Sequence, residues 1–262
     1  MGTASWYQDF ANGYQWSYRA AITVDVGSNT GARDVSISIP ATWDYFWETV
    51  RSAGQDVRIT AADGVTLIPF DIDTFSTTNR TGTIEIDGYT VPGTGSRVYL
   101  LWIYWGQASC STAITPLSIS GADTGYIELG RPSTRLVSNP IQRPGDTVAR
   151  ERTSKGTAES VFVWLDSGPL LGPRREPYAD SVNYEAVSYA TVDVQTGGST
   201  VGGMASVPSV RFVEYRDSVW IRQTVSAGVD DTDYTALWTI TTTLGQVLTG
   251  RSVVQVRNVS EA

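Results

Sequence analysis

The sequence predicts an all-β protein built as two β-sandwich domains, with one short helix near residues 43–53. Three observations predict it. Short runs rich in Val, Ile, Thr, Tyr and Trp alternate with clusters of Gly, Asn, Asp and Ser, the pattern of strands and their turns. Helical periodicity is nearly absent, with a single exception. The chain has 262 residues, 41% of them apolar, enough for one large β domain or two of ordinary size with real cores.

Tyr18 to Val26 alternates apolar and polar residues and forms the first clear strand; Asp34 to Ile39 forms the second, ended by Pro40. From Trp43 to Ala53 the apolar residues fall at 43, 46, 47 and 50, which is helical spacing, so one short amphipathic helix is expected. A hairpin follows. Its strands are Asp56 to Ala61 and Val65 to Ile72, and Ala62-Asp63-Gly64 turns between them, because Asp-Gly supplies the positive φ values of a tight turn. Thr83 to Ile86 and the aromatic run Arg97 to Trp105, which stops at Gly106, complete the first set of strands.

A Ser/Thr-rich stretch with a proline, Cys110 to Pro116, marks the expected boundary between a domain at 1–112 and a second at 113–262. Short strands are expected at Ile114 to Ile119, Tyr126 to Leu129 and Leu136 to Ser138. Residues of about 131–158 have little apolar periodicity and are expected to form a long, exposed, basic arm. Ser160 to Leu165 is a strand and Ser167 to Pro177 a Pro/Gly loop. The rest is a β meander: Asn183 to Val194, Val210 to Tyr215, Val219 to Val225, Tyr234 to Thr243 and Gln246 to Val256. Tyr234, Ala236, Trp238 and Ile240 put one apolar face on the fourth of these strands. A Trp in mid-strand near the end of a seven-strand-like pattern suggests an immunoglobulin-like sandwich without its disulfide. No fixed-period repeat is present.

Composition excludes several chemistries. With no histidine, a Ser-His-Asp triad, a Cys-His pair and an imidazole metal site are all impossible. The single Cys110 cannot form an internal disulfide or a zinc cluster, and no cofactor is expected. Lys155 is the only lysine. A net charge of −8 argues against a global phosphate-binding role, so no nucleic-acid partner is expected. No run of about 18 apolar residues occurs, so no membrane-spanning helix is expected. Met1 to Asp9 has neither a basic region nor an apolar core, so it is not expected to be a secretory signal; a trimmed signal replaced by a start Met would look the same.

The remaining candidates each have a plain structural reading beside the chemical one. Asp123-Thr124-Gly125 and Asp166-Ser167-Gly168 could supply the paired carboxylates of an aspartic protease, but Pro169 follows one triplet directly, and both suit ordinary turns. Asp230, Asp231 and Asp233 crowd one loop, as a calcium site or a solvated hairpin end would. Asp71 with Asp73, and Glu85 with Asp87, have the spacing of neighbours on one strand face, which suits a glycoside hydrolase or the polar side of a half-solvated sheet. Trp102 and Tyr104 share a strand face that could stack against sugars or fill a core. Arg131, Arg135, Arg143, Arg150, Arg152 and Lys155 give the arm a net positive charge within an acidic chain, as a solvated loop or a segment that docks on an acidic protein surface.

Residues 6–107 resemble a bacterial and phage domain of unknown function with three marks. These are an F-W-x-x-V helix, here Phe46, Trp47 and Val50; a G-x-D-[IV]-R-x-T-x-x-D-G-x-T-x-x-P-[FY]-[ED]-[IL] block, here Gly54 to Ile72; and a closing Y-Y-G-N, here Tyr104-Trp105-Gly106-Gln107. Trp6-Tyr7, Tyr18 and Ile22 fit its opening. The resemblance implies a jelly-roll-like sandwich of the kind attached to surface proteins, and it transfers no catalytic residue. The second half resembles, more weakly, Ig-like modules of virion proteins. The leading expectation is therefore a bacteriophage virion structural protein, not an enzyme. It would be a capsid decoration or cement protein, or a head fibre or spike component, multicopy or homo-oligomeric, bound to major capsid or other virion proteins and assembled in the host cytoplasm. A carbohydrate-binding surface or adhesion module is the alternative, and a glycoside hydrolase the third.

Overall fold

A computed structural model describes residues 6–27, 31–91, 98–111, 119, 122–128, 137–138, 152–167, 186–215 and 218–257. Among these residues the protein is nearly all β, with one short helix, and the chain divides into two compact units. The N-terminal unit takes Ala4–Leu129 with Glu176–Tyr184; the C-terminal unit takes Gly130–Arg175 and Glu185–Ala262 with Met1–Thr3.

The N-terminal unit opens with a small antiparallel hairpin, β1 (Gln8–Asp9) and β2 (Tyr14–Gln15). It continues with β3 (Tyr18–Asp25), β4 (Gly31–Ser38), α1 (Asp44–Thr49), β5 (Arg58–Thr60), β6 (Asp71–Ser76), β7 (Thr81–Val91), β8 (Val98–Trp105) and β9 (Asp123–Ile127). These strands hydrogen-bond in the order β5–β8–β3–β9–β4–β7–β6, antiparallel throughout except for the parallel β9–β4 pair. β9 lies past residue 112 in the chain, yet it joins this sheet between β3 and β4.

Helix α1 shows how far the sheet curls. Strands β8 and β6 are five pairings apart, about 24 Å on a flat sheet at ~4.8 Å per strand. Yet the ring of Phe46 lies 5.4 Å from Trp105 on β8 and 6.5 Å from Phe75 on β6. The sheet therefore folds over, sandwich fashion, and brings β8, next to one margin, and β6, at the other, to one fully buried phenylalanine. Trp47 packs against Phe75 from the same helix, at 5.5 Å. The helix ends at Thr49, sooner than the apolar spacing to residue 53 predicts, because Val50 turns to an extended conformation (φ −73°, ψ 148°) while staying buried.

The expected hairpin is also shorter than its pattern. The turn is present, with Gly64 N–H donating to Ala61 O and Ala61 N–H to Thr66 O. Pairing beyond it is limited to the Thr60–Leu67 bridge and the Ile68 N–H to Ile59 O bond. Pro69 cannot donate to a ladder, and the chain leaves to form β6 at the other margin of the sheet.

Among the described residues, the strands of the C-terminal unit pair in two sets. One runs β11 (Arg152–Lys155), β18 (Val247–Val256), β17 (Thr232–Thr242), β13 (Val187–Thr196), with β14 (Ser199–Thr200) paired to the end of β13. The other runs β10 (Val137–Ser138), β12 (Val161–Asp166), β16 (Ser218–Val225), β15 (Ala205–Tyr215). On β17, Tyr234, Ala236, Trp238 and Ile240 are buried as the alternation predicts, and the Trp238 indole donates to Ser252 Oγ on β18 at 2.9 Å. Val163, Leu165, Phe212, Ile221 and Val225 supply the buried face of the second sheet. One expectation is corrected here. Arg152–Lys155, assigned to an irregular exposed arm, forms a strand parallel to β18.

Candidate functional site

Backbone groups from both ends of the 51–107 segment converge on one buried carboxylate. Asp56 is fully buried. Its Oδ1 accepts the Arg51 backbone N–H at 2.9 Å, and its Oδ2 accepts those of Gly106 and Gln107 at 2.8 and 3.2 Å. The Asp56 carbonyl also accepts the Trp16 indole N–H at 2.5 Å. One side chain thus ties the segment after α1 to the end of β8. Gly106 is required there: its φ is +86°, and a Cβ would lie 2.4 Å from Tyr18 Cδ2. Next to Asp56, Arg58 donates to the Gln55 and Val57 carbonyls and to Cys110 Sγ, and it lies over the Trp16 ring.

The Asp63-Gly64-Val65-Thr66 turn is held in the same way. Asp63 Oδ1 accepts the backbone N–H of Val65 and of Thr66, both at 2.9 Å, and Oδ2 accepts the Thr66 hydroxyl at 2.5 Å. Gly64 has φ +78°. Strand β8 holds this turn by its carbonyls: the Trp102 indole donates to Ala62 O at 3.1 Å and the Tyr104 hydroxyl to Gly64 O at 3.0 Å. Both rings are 0% exposed, so the two residues considered for sugar stacking offer no face to a ligand. The sequence misled here because all eight residues of β8 are buried, on both faces. Nearby, burial pushes the Tyr89 phenol up to about 12, and the Asp63 charge adds to the shift.

The basic arm is only partly in view. Arg131, Arg135, Arg143 and Arg150 lie outside the described residues, and Arg152 is placed by its backbone alone, opposite Val253. Lys155 is 2% exposed, and its ammonium donates to the Gly156 and Ala227 carbonyls at 2.6 and 2.5 Å. Burial lowers its pKa, with Glu159 opposing. It anchors the end of β11 and is not a docking group.

The acidic candidates are distributed as follows. Asp233 and Asp231 pair with Arg257, at 2.9 and 3.4 Å, and Gln255 also donates to Asp233. The Asp230 carboxylate accepts the Asp231 N–H. Among the described residues no three metal-ligating side chains converge, and two of this loop's carboxylates, Asp231 and Asp233, turn toward an arginine. Asp71 and Glu85 stand directly opposite each other on β6 and β7, with Asp73 opposite Thr83. Both are half-exposed on one face of one strand pair, whereas an acid/base division needs carboxylates in two different environments. Asp123 accepts a bidentate pair of bonds from Arg33, at 2.8 and 3.1 Å, and Ser167 Oγ donates to Val219 O. Gly168, which completes the second triplet, lies outside the described residues.

One surface feature was missed from the sequence. Tyr18, Trp43 and Tyr45 gather around α1 and the β8 terminus, the first two half-buried and Tyr45 exposed. The signal was present, since Trp43 and Tyr45 flank the buried Phe46-Trp47 step, but helical spacing assigned residue 43 wholly to the core.

Compared with known proteins, the chain matches no family model and no curated sequence.

Proposed function

We propose that the protein is a non-catalytic structural component of a bacteriophage virion. It is a capsid decoration or cement protein, or a head fibre or spike component, present in many copies and acting through contacts with major capsid or other virion proteins. The observation that carries this reading is the use made of the motif's polar side chains. Asp56, Asp63, Trp102 and Tyr104 all hold backbone groups of the fold, and Thr66 braces Asp63, so a rigid scaffold is what the block provides. The resemblance of residues 6–107 to a phage and bacterial domain, and the two-unit β architecture, support the same reading. The net charge of −8 favours protein partners over nucleic acid.

A β protein that spans neighbouring subunits stabilises their assembly by mass action, because it binds the assembled shell and not its separated parts. A contact of roughly 1,600 Å² in total is the usual size for a specific interface. The test compares particles made with and without the protein. Those with it should withstand higher temperature and sharper osmotic shock. Equal resistance, together with no position for the protein in the particle, overturns the proposal.

A further inference from the structure

We infer that the N-terminal unit carries a saccharide-binding platform made by Tyr18, Trp43 and Tyr45, and that its ligand is a neutral polysaccharide. The inference goes beyond the virion reading and does not depend on it. Trp43 lies flat on Phe46, centroids 4.7 Å apart and planes 14° from parallel. One face packs on this buried phenylalanine, and the residue as a whole is half-buried. Tyr45, at the start of α1, is 51% exposed. Tyr18 meets it edge-on, at 4.8 Å and 69°. Trp105 fixes the spacing of the group, since it abuts Tyr18 at 5.6 Å and Trp43 at 4.7 Å. Tyr18 also rests on Gly106, where there is no room for a Cβ. Tyr18 and Trp43 are thus already held in place, and a ligand docking on them orders little that is not ordered beforehand.

The chemistry around these rings selects the ligand. A pyranose has an apolar C–H face and a rim of hydroxyls, and aromatic faces match the former. For the rim, the Tyr18 and Tyr45 hydroxyls face each other, and such a pair keeps one proton and several lone pairs for a third group. Glu48, exposed one helical turn after Tyr45, is an acceptor for neighbouring hydroxyls, and the exposed Ser17 is a second polar neighbour. A purely apolar protein knob would bury these polar groups without partners, at a cost in free energy. Acidic saccharides are disfavoured by Glu48 and by the chain's negative charge. Asp44 is already paired with Arg80 and takes no part.

Affinity electrophoresis of the full chain tests this, with gels containing β-glucan, mannan or galactomannan as neutral probes and alginate as the acidic one. At least one neutral gel should retard the protein and alginate should not. Tyr45→Ala and Glu48→Ala should each weaken that retardation, the former by roughly tenfold. Phe10→Ala, which removes an 87% exposed aromatic elsewhere in the same unit, should leave it unchanged. Circular dichroism on each variant confirms that it is folded. No retardation in any neutral gel, retardation by alginate alone, or retardation unaffected by both Tyr45→Ala and Glu48→Ala overturns the inference.

Discussion

Asp56 is the residue on which most of the N-terminal motif turns. It is buried, and its carboxylate is the acceptor for three backbone N–H groups from two separate segments. Replacing it by alanine leaves these donors without partners in a dry interior, where each costs on the order of 1–3 kcal/mol. Asp56→Ala is therefore expected to destabilise the unit by about 3 kcal/mol or more in urea unfolding, and Asp56→Asn by less, since an amide oxygen still accepts. Asp73→Ala, at an exposed position, should change stability by about 0.5 kcal/mol at most. Tyr89 gives a pH signature. Its folded pKa, about 12, lies above the ordinary 10.0, so the folded state holds the phenolic proton more tightly than the unfolded state. That stabilisation is complete below pH 10 and is lost as pH rises from there through about 12. The stability difference between the wild-type chain and Tyr89→Phe, followed across that range, isolates this group from other tyrosines. It should shift against the wild type as pH rises, and parallel curves would contradict the assignment.

At the scale of elements, α1 is a plug more than a free-standing helix. Its six residues are too few to be stable alone, and it persists because Phe46 and Trp47 pack between the margins of a curled sheet. Phe46→Ala should cost about 3–5 kcal/mol, the range for a fully buried phenylalanine, and Phe162→Ala on the half-exposed side of β12 should cost far less. Equal losses in the two variants would deny the helix this role. Much of this was legible in the sequence. Strands β3, β16, β17 and β18 were predicted to within a residue or two, because period-two alternation with one buried face is a local signal. The insertion of β9 between β3 and β4, and the pairing of β6 at the far margin, were not legible, because strand order depends on partners far along the chain. The Trp102 and Tyr104 faces were ambiguous because β8 has no polar side to orient it. Lys155 was misread for a related reason: its burial depends on the Ala227 carbonyl, far off in sequence, and a lone lysine among polar neighbours gives no hint of it. Of the candidate site, the aromatic content was legible, but which rings are core and which are surface was set by the fold.

At the scale of the whole molecule, the chain is two β units; polar motif residues brace the backbone of the first, and among the described residues the first exposes Phe10 and Tyr45 and the second Phe162. A brace of this kind suits a part that must keep its shape while bound to neighbours. On the virion proposal, the protein's effect is on the stability of an assembly, with any saccharide contact at the Tyr18–Trp43–Tyr45 platform adding a second, independent interaction. The virion proposal meets its most direct test in quantitative mass spectrometry of purified particles of the phage that encodes the chain, scored against the major capsid protein. The expected result is many copies per particle, in a fixed ratio to a shell or fibre component that is unchanged after a further round of purification. Abundance in the lysate of infected cells with absence from the purified particles would contradict it.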